Sequence, residues 1–217
     1  MRKVLLGILA ATALSVGTAA GATDVVMTPN TVLVGPGDGL ALGESATFLV
    51  AGDIFNGDIT ATFSHNGIPG ASTGTSFTDL FTFTIPQNGL GSGDVTTSVN
   101  LSGFGGSADT DLLSVLVNGT PADLILKDAN NVVCTTRGVG TCGAVEQWSV
   151  TDIAITANVL NTITINGISR GTGGYSGHAT FTPVPEPATW GMMLLGFGAV
   201  GFSMRRRRRP AALMQIA

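Results

Sequence analysis

Few side chains in this sequence are equipped for chemistry, and their spacing limits what each could do. The two histidines, His65 and His178, lie far apart, outside any pattern such as HExxH that sets two ring nitrogens on one metal. Cys134 and Cys142 form a lone pair in CTTRGVGTC, without the second pair a structural zinc site needs. In an exported chain such a pair is expected to form a disulfide, with two free thiols as the alternative. Gly138 to Gly143 formally fits GxGxxG, but no βαβ pattern surrounds it, and a cysteine-bridged hairpin accounts for its glycines. Gly174-Tyr175-Ser176-Gly177-His178 misses the GxSxG nucleophile elbow by one position. No Ser/His/Asp or paired-glutamate grouping stands out, so neither catalysis nor a bound metal or cofactor is expected.

The carboxylates divide into two kinds. Asp38, Asp53, Asp58, Asp94, Asp109 and Asp111 sit beside glycine or in expected turns. Turn chemistry explains them, with calcium as the alternative, although neither an EF-hand nor a repeated calcium array is present. Asp79 is different. Around Phe77-Thr78-Asp79-Leu80-Phe81, strand alternation puts Asp79 on one face with Phe77, Phe81 and Phe83. A buried carboxylate is costly unless paired or well hydrogen-bonded. Asp79 must then accept backbone N–H groups in a corner, or a bulge must turn it outward. A structural role is expected, with a ligand or metal contact as the alternative.

The elements that position these groups read as strands. Short alternating segments recur at Ser45–Ala51, Asp58–Ser64, Ser76–Ile85, Asp94–Phe104, Leu112–Asn118, Ala122–Asp128, Asn131–Thr136, Glu146–Thr156, Asn161–Ser169 and Tyr175–Pro183. Between them lie turn dipeptides: Asn66-Gly67, Asn88-Gly89, Asn118-Gly119 and Asn166-Gly167, the last equally readable as a bulge. The 31 glycines and the many β-branched residues disfavour helix. The pattern predicts an all-β fold, an antiparallel, jelly-roll-like β-sandwich over residues 23–182.

Charge is unevenly placed. Thr23 to Val184 holds 13 of the 14 acidic residues but only Lys127, Arg137 and Arg170 of the ten basic ones, a formal charge of −10. Nucleic-acid binding is not expected of so acidic a body, because phosphate recognition depends on lysine and arginine. The remaining basic residues flank two apolar segments at the ends. Arg2 and Lys3 precede an uncharged run to Val16 and then small residues to Ala22, the layout of a secretory signal peptide over residues 1–22 that would engage Sec-type export machinery. Ala188 to Met204 is uncharged for 17 residues, at the lower limit for a transmembrane helix, and contains four glycines. Arg205, Arg206, Arg207, Arg208 and Arg209 follow it. Each arginine taken across a bilayer centre costs at least ~2.5–3.5 kcal/mol, so the cluster is expected to stay on the cytoplasmic side with the tail 210–217.

Pro185-Glu186-Pro187, then Trp190, an apolar helix and the arginine cluster resemble the PEP-CTERM sorting signal of Gram-negative bacteria, in its PEPxxW variant, over residues 183–209. Gly191 after the tryptophan and the tail PAALMQIA depart from the usual form. The Phe77-x-Asp79-x-Phe81 pattern resembles the FxDxF family of exported PEP-CTERM proteins, as do Trp148-Ser149 and the Gly174–Gly177 stretch. This resemblance implies processing by exosortase near Pro-Glu-Pro, a precursor anchored in the inner membrane, and then residence at an exopolysaccharide-rich cell surface or outside the cell. The expected function is that of a non-enzymatic surface or extracellular-matrix protein. The alternative is a carbohydrate- or ice-binding module, since the C-terminal segment also resembles that of proteins labelled ice-binding.

Overall fold

Alternation of inward and outward side chains runs through eleven strands in the computed structural model, which describes residues 23–53, 59–97, 108–136, 141–184 and 187–207. In chain order the strands are β1 (Val26–Met27), β2 (Thr31–Val34), β3 (Ser45–Ala51), β4 (Ile59–Phe83), β5 (Gly89–Thr97) and β6 (Ala108–Val117). There follow β7 (Thr120–Pro121), β8 (Asp123–Lys127), β9 (Val133–Cys134), β10 (Val145–Ile155) and β11 (Asn161–Pro183). One helix, α1 (Pro187–Arg207), lies in a separate unit beginning at Val184. The expected signal peptide, residues 1–22, falls outside the described residues.

Two strands are longer than the sequence suggests. The segments expected at Asp58–Ser64 and Ser76–Ile85 join into the 25-residue β4, and those at Asn161–Ser169 and Tyr175–Pro183 into the 23-residue β11. The stretches between them bulge instead of turning. Gly67, at φ +71°, stands in an irregularity where the register shifts between Gly173 and Gly174. Residues 71–74 stand out of register between the pairs Gly70↔Gly171 and Thr75↔Ser169. Bulges keep the ladder going while bending it. The β4–β11 ribbon therefore folds over, and its halves serve two layers.

The first layer pairs in the order β2-β3-β4-β11-β5-β10-β8-β9, and the second in the order β1-β4-β11-β6-β7. Pairing is antiparallel throughout, apart from the short parallel match of Val26 with Leu80 and Met27 with Phe81. The expected antiparallel sandwich is thus present, with β1 and β2 as added edge strands. Its core closes on phenylalanines. Phe81 of the second layer meets Phe48 and Phe63 of the first at centroid separations of 5.4 and 5.0 Å, edge-on and tilted as aromatic pairs prefer.

Glycines opposite these rings make the packing possible. Gly177 pairs with Phe63 and Gly167 with Phe77, and a methyl group at either would come within 2.2 and 2.5 Å of ring carbons. Asn118-Gly119 forms the expected two-residue hairpin, both residues at positive φ, between β6 and β7. Asn166-Gly167 is instead internal to β11, where the register shifts against β6. Asn88-Gly89 runs straight into β5 with neither residue at positive φ, and the Asn88 side chain accepts the Ala157 N–H at 2.8 Å. Cys134 and Cys142 are joined by a disulfide with a Cα–Cα distance of 5.9 Å, tying β9 to the turn before β10.

In the C-terminal unit, α1 covers the uncharged run and ends at Arg207. No helix among the described residues is long and apolar enough to cross a membrane. The four glycines, the polar Thr189 and Ser203 and the arginine end lower its apolarity, so α1, though 21 residues long, falls below that level and does not support the expected span.

Gly177→Ala should lower unfolding stability by about 1–3 kcal/mol, the usual cost of overpacking a filled core. Gly37→Ala, with nothing near its added methyl, should stay within about 0.5 kcal/mol of the parent. Urea unfolding of the two variants checks the contrast.

Candidate functional site

The fold brings Asp79 together with three partners far away in sequence. Asp79 faces inward from the second half of β4 and His65 from the first half, and the folded ribbon sets His65 Nδ1 2.8 Å from Asp79 Oδ2. Tyr175, on β11 beside His65, donates its hydroxyl to the same oxygen at 2.6 Å. Asp79 Oδ1 accepts the backbone N–H of Val25 at 3.0 Å. On the other side of the imidazole, Nε2 stands 2.8 Å from Glu44 Oε1, and Glu44 Oε2 accepts the Ala41 N–H at 2.6 Å. The bulge at Gly67 makes room for Glu44, since a side chain there would strike the Gly43 carbonyl oxygen at 2.4 Å.

All four side chains are buried, with Glu44, His65, Asp79 and Tyr175 between 0 and 2% exposed. Each imidazole nitrogen faces a carboxylate oxygen, and only the doubly protonated ring can donate to both. Burial pushes the ring toward neutrality, but its hydrogen bonds to Asp79 and Glu44, together with their charges, outweigh this and raise its pKa from 6.5 to about 9. Burial pushes the Glu44 carboxyl up, yet His65 and the Ala41 N–H bring it below its ordinary value. Burial and then the Asp79 charge lift the Tyr175 phenol well above 10, so it remains a donor. The arrangement stores one proton inside the fold and leaves its two carboxylates fully hydrogen-bonded. Phe77 stacks on Tyr175, ring centroids 6.1 Å apart, and so closes the cluster from the side.

Sequence reasoning placed Phe77, Asp79, Phe81 and Phe83 on one core face; the first three are buried there and Phe83 is partly buried. It gave Asp79 backbone donors or an outward bulge; the structure supplies one backbone donor, a tyrosine and a histidine. His65 lies on β4 and His178 on β11, neither in a turn. Asp109 and Asp111 are not turn residues either. They lie on β6 and hold Arg170 at 3.0 and 2.6 Å. No group of three or more histidine, cysteine or acidic side chains arranged to hold a metal occurs among the described residues. Asp58 falls outside the described residues, as do Gly138, Val139 and Gly140 of the Gly138–Gly143 stretch.

The outer surface of the first layer is lined differently. Ser64, Ser176 and Thr96 form one row across β4, β11 and β5, and Thr62, His178 and Asp94 the next. The six border a shallow open groove of about 330 Å³. His178 Nδ1 and Asp94 Oδ1 are 3.5 Å apart, with both residues partly exposed.

In α1, Trp190, Leu194, Leu195, Phe197 and Phe202 are exposed. Pro187 opens the helix, Arg205 and Arg206 are exposed near its end, and Arg207 is its last residue. Pro185, Glu186, Arg208 and Arg209 fall outside the described residues. A family model for the PEP-CTERM protein-sorting motif matches residues 183–208. No curated protein matches the chain. Among solved structures it is similar to one described as "Crystal structure of Agl-KA catalytic domain", at 13% identity and a TM-score of 0.24. That match covers 81% of this chain and 30% of the other, and a likeness so slight carries no argument. The chain thus bears the signal that marks a protein for export, cell-surface sorting and processing by exosortase.

Two outcomes are expected of the buried cluster. Asp79→Ala leaves His65, Tyr175 and the Val25 N–H short of an acceptor and should cost about 3–5 kcal/mol, as removing one partner of a buried ion pair does. The pH profile follows from linkage. The His65 contribution is complete below pH 6.5 and is lost as pH rises through about 9; the Glu44 contribution is present above its ordinary 4.5 and is lost as pH falls through its lowered value. Unfolding free energy measured by urea should decline on both limbs, and His65→Leu should abolish the alkaline decline.

Proposed function

We propose that this chain is a non-enzymatic protein of the cell surface or extracellular matrix, held at the inner membrane as a precursor and released by cleavage near Pro185-Glu186-Pro187. The observation that carries this reading is the sorting motif itself, matched over residues 183–208 on a segment separate from the β-sandwich. The weakness of α1 as a span suits a temporary hold. Its exposed apolar side chains favour the hydrocarbon, and the arginines keep its end on the cytoplasmic side, since positive charge resists translocation. Once the segment is cut, nothing in α1 is needed by the sandwich, whose core is complete before Val184. The body that is released is bridged by a disulfide, which suits an oxidising exterior.

A second reading, a binding module, draws support from the groove on the first layer. Its hydroxyl rows suit a polysaccharide better than ice, because His178 and Asp94 interrupt the uniform threonine array that a flat ice-binding face requires.

Mass spectrometry of the mature C-terminus, in strains with and without exosortase, tests the first reading. Chains ending near residues 185–187 are expected with the enzyme, and membrane-bound chains retaining α1 without it. Release of the full-length chain in both strains, or unchanged localisation after deletion of residues 185–209, would contradict the proposal.

A further inference from the structure

The groove has a feature that neither the sorting segment nor the buried cluster uses. Its second row continues beyond Asp94 through Ser149 on β10 to Asp123 on β8. Asp94 and Asp123 therefore stand on the same face two strand spacings apart, roughly 10 Å. Hydroxyls surround the first of them: Thr62 beyond His178 in its own row, and Ser64, Ser176 and Thr96 in the adjacent row. Apart from His178 these side chains are not aromatic, and Phe63 at the groove is buried, so sugar rings would be held chiefly by hydrogen bonds and charge rather than by stacking.

We propose that this face binds an extended polysaccharide bearing free amino groups, laid across the strands with its ammonium groups on Asp94 and Asp123. This rests on the binding-module reading above and names its ligand class. Charge is the deciding argument. An anionic polymer would meet two carboxylates on a body of formal charge −10, and a neutral polymer could donate hydroxyls to the spaced carboxylates but would leave their charge uncompensated. An amine-bearing polymer is drawn in by the body and neutralises both. The separation of the two carboxylates is close to the length of a disaccharide in an extended chain, so ammonium groups on alternate residues reach one carboxylate each. The hydroxyls of Ser64, Ser176 and Thr96 then serve the intervening ring oxygens and hydroxyls, each able to donate and accept. Lys127, on the same side of β8, lies four residues past Asp123 and outside the two rows.

The test is calorimetric titration of the full chain with a glucosamine hexamer, its N-acetylated counterpart and an oligogalacturonate, at physiological ionic strength, where distant charges are screened. Binding of the amine oligomer alone is expected. Asp94→Asn and Asp123→Asn should each weaken it about fivefold, the upper worth of an exposed ion pair. Asp38→Asn removes the same charge away from the groove and, as its amide oxygen can still accept the Val34 N–H, should leave affinity unchanged within about twofold. Equal loss in Asp38→Asn would reduce the effect to diffuse body charge and overturn the proposal. Binding of the N-acetylated oligomer as tightly as the amine would overturn the ligand class but keep the binding module. Silence toward all three would overturn both.

Discussion

A protonated imidazole enclosed between two carboxylates fixes how the long ribbon folds over. His65 belongs to the first layer, Asp79 to the second, and Glu44 to the turn that precedes β3. Tyr175 comes from β11, and the Val25 N–H from the start of the described chain. Five separated segments thus converge on one proton. Buried ion pairs are not dependable sources of net stability, because desolvation offsets most of their attraction. Their effect here is on register. A one-residue slip of β4 would turn His65 or Asp79 to solvent and leave its partner buried with an unmatched charge. Only one alignment of the folded ribbon satisfies all five segments.

The composition follows from the same constraint. A ribbon that bends over its own core must bring phenylalanines close to a neighbouring strand, and Gly167 and Gly177 provide the space beneath Phe77 and Phe63. Where the ribbon bulges, Gly67 adopts a left-handed conformation that lets the Gly43–Glu44 turn approach. Threonine and serine then occupy outward positions, giving soluble faces with few charges. The surface left over is hydroxyl-lined and acidic, and exposed apolar side chains remain on it, Leu42 and Leu160 among them, besides those on α1.

Much of this architecture was legible. Alternation placed β3 on its residues and marked most other strands, because period-two patterning is a direct consequence of one buried face. Two kinds of feature were not. Asn66-Gly67 has the composition of a turn, and only pairing across the ribbon makes it a bulge, so β4 and β11 each read as two strands. The partners of Asp79 were invisible for a related reason. His65 is 14 residues away, Glu44 lies in an ordinary turn, and Tyr175 is 96 residues distant. The faint signal was the conflict itself: a carboxylate between two phenylalanines on a core face requires a cation or several donors. The sorting segment was legible outright, because its order of Pro-Glu-Pro, tryptophan, apolar run and arginines is local and needs no fold.

These parts divide the molecule's work. The C-terminal segment gives an address, and the internal proton holds the layers of the sandwich in one alignment. Nitrogen-15 NMR of the imidazole ring of His65 in the labelled protein is the most direct measurement of that claim. Both ring nitrogens should report the protonated, doubly donating form at pH 7.5, with conversion to a neutral ring only as the pH approaches 9. A His65 ring that is a neutral tautomer at pH 7.5 would contradict the account.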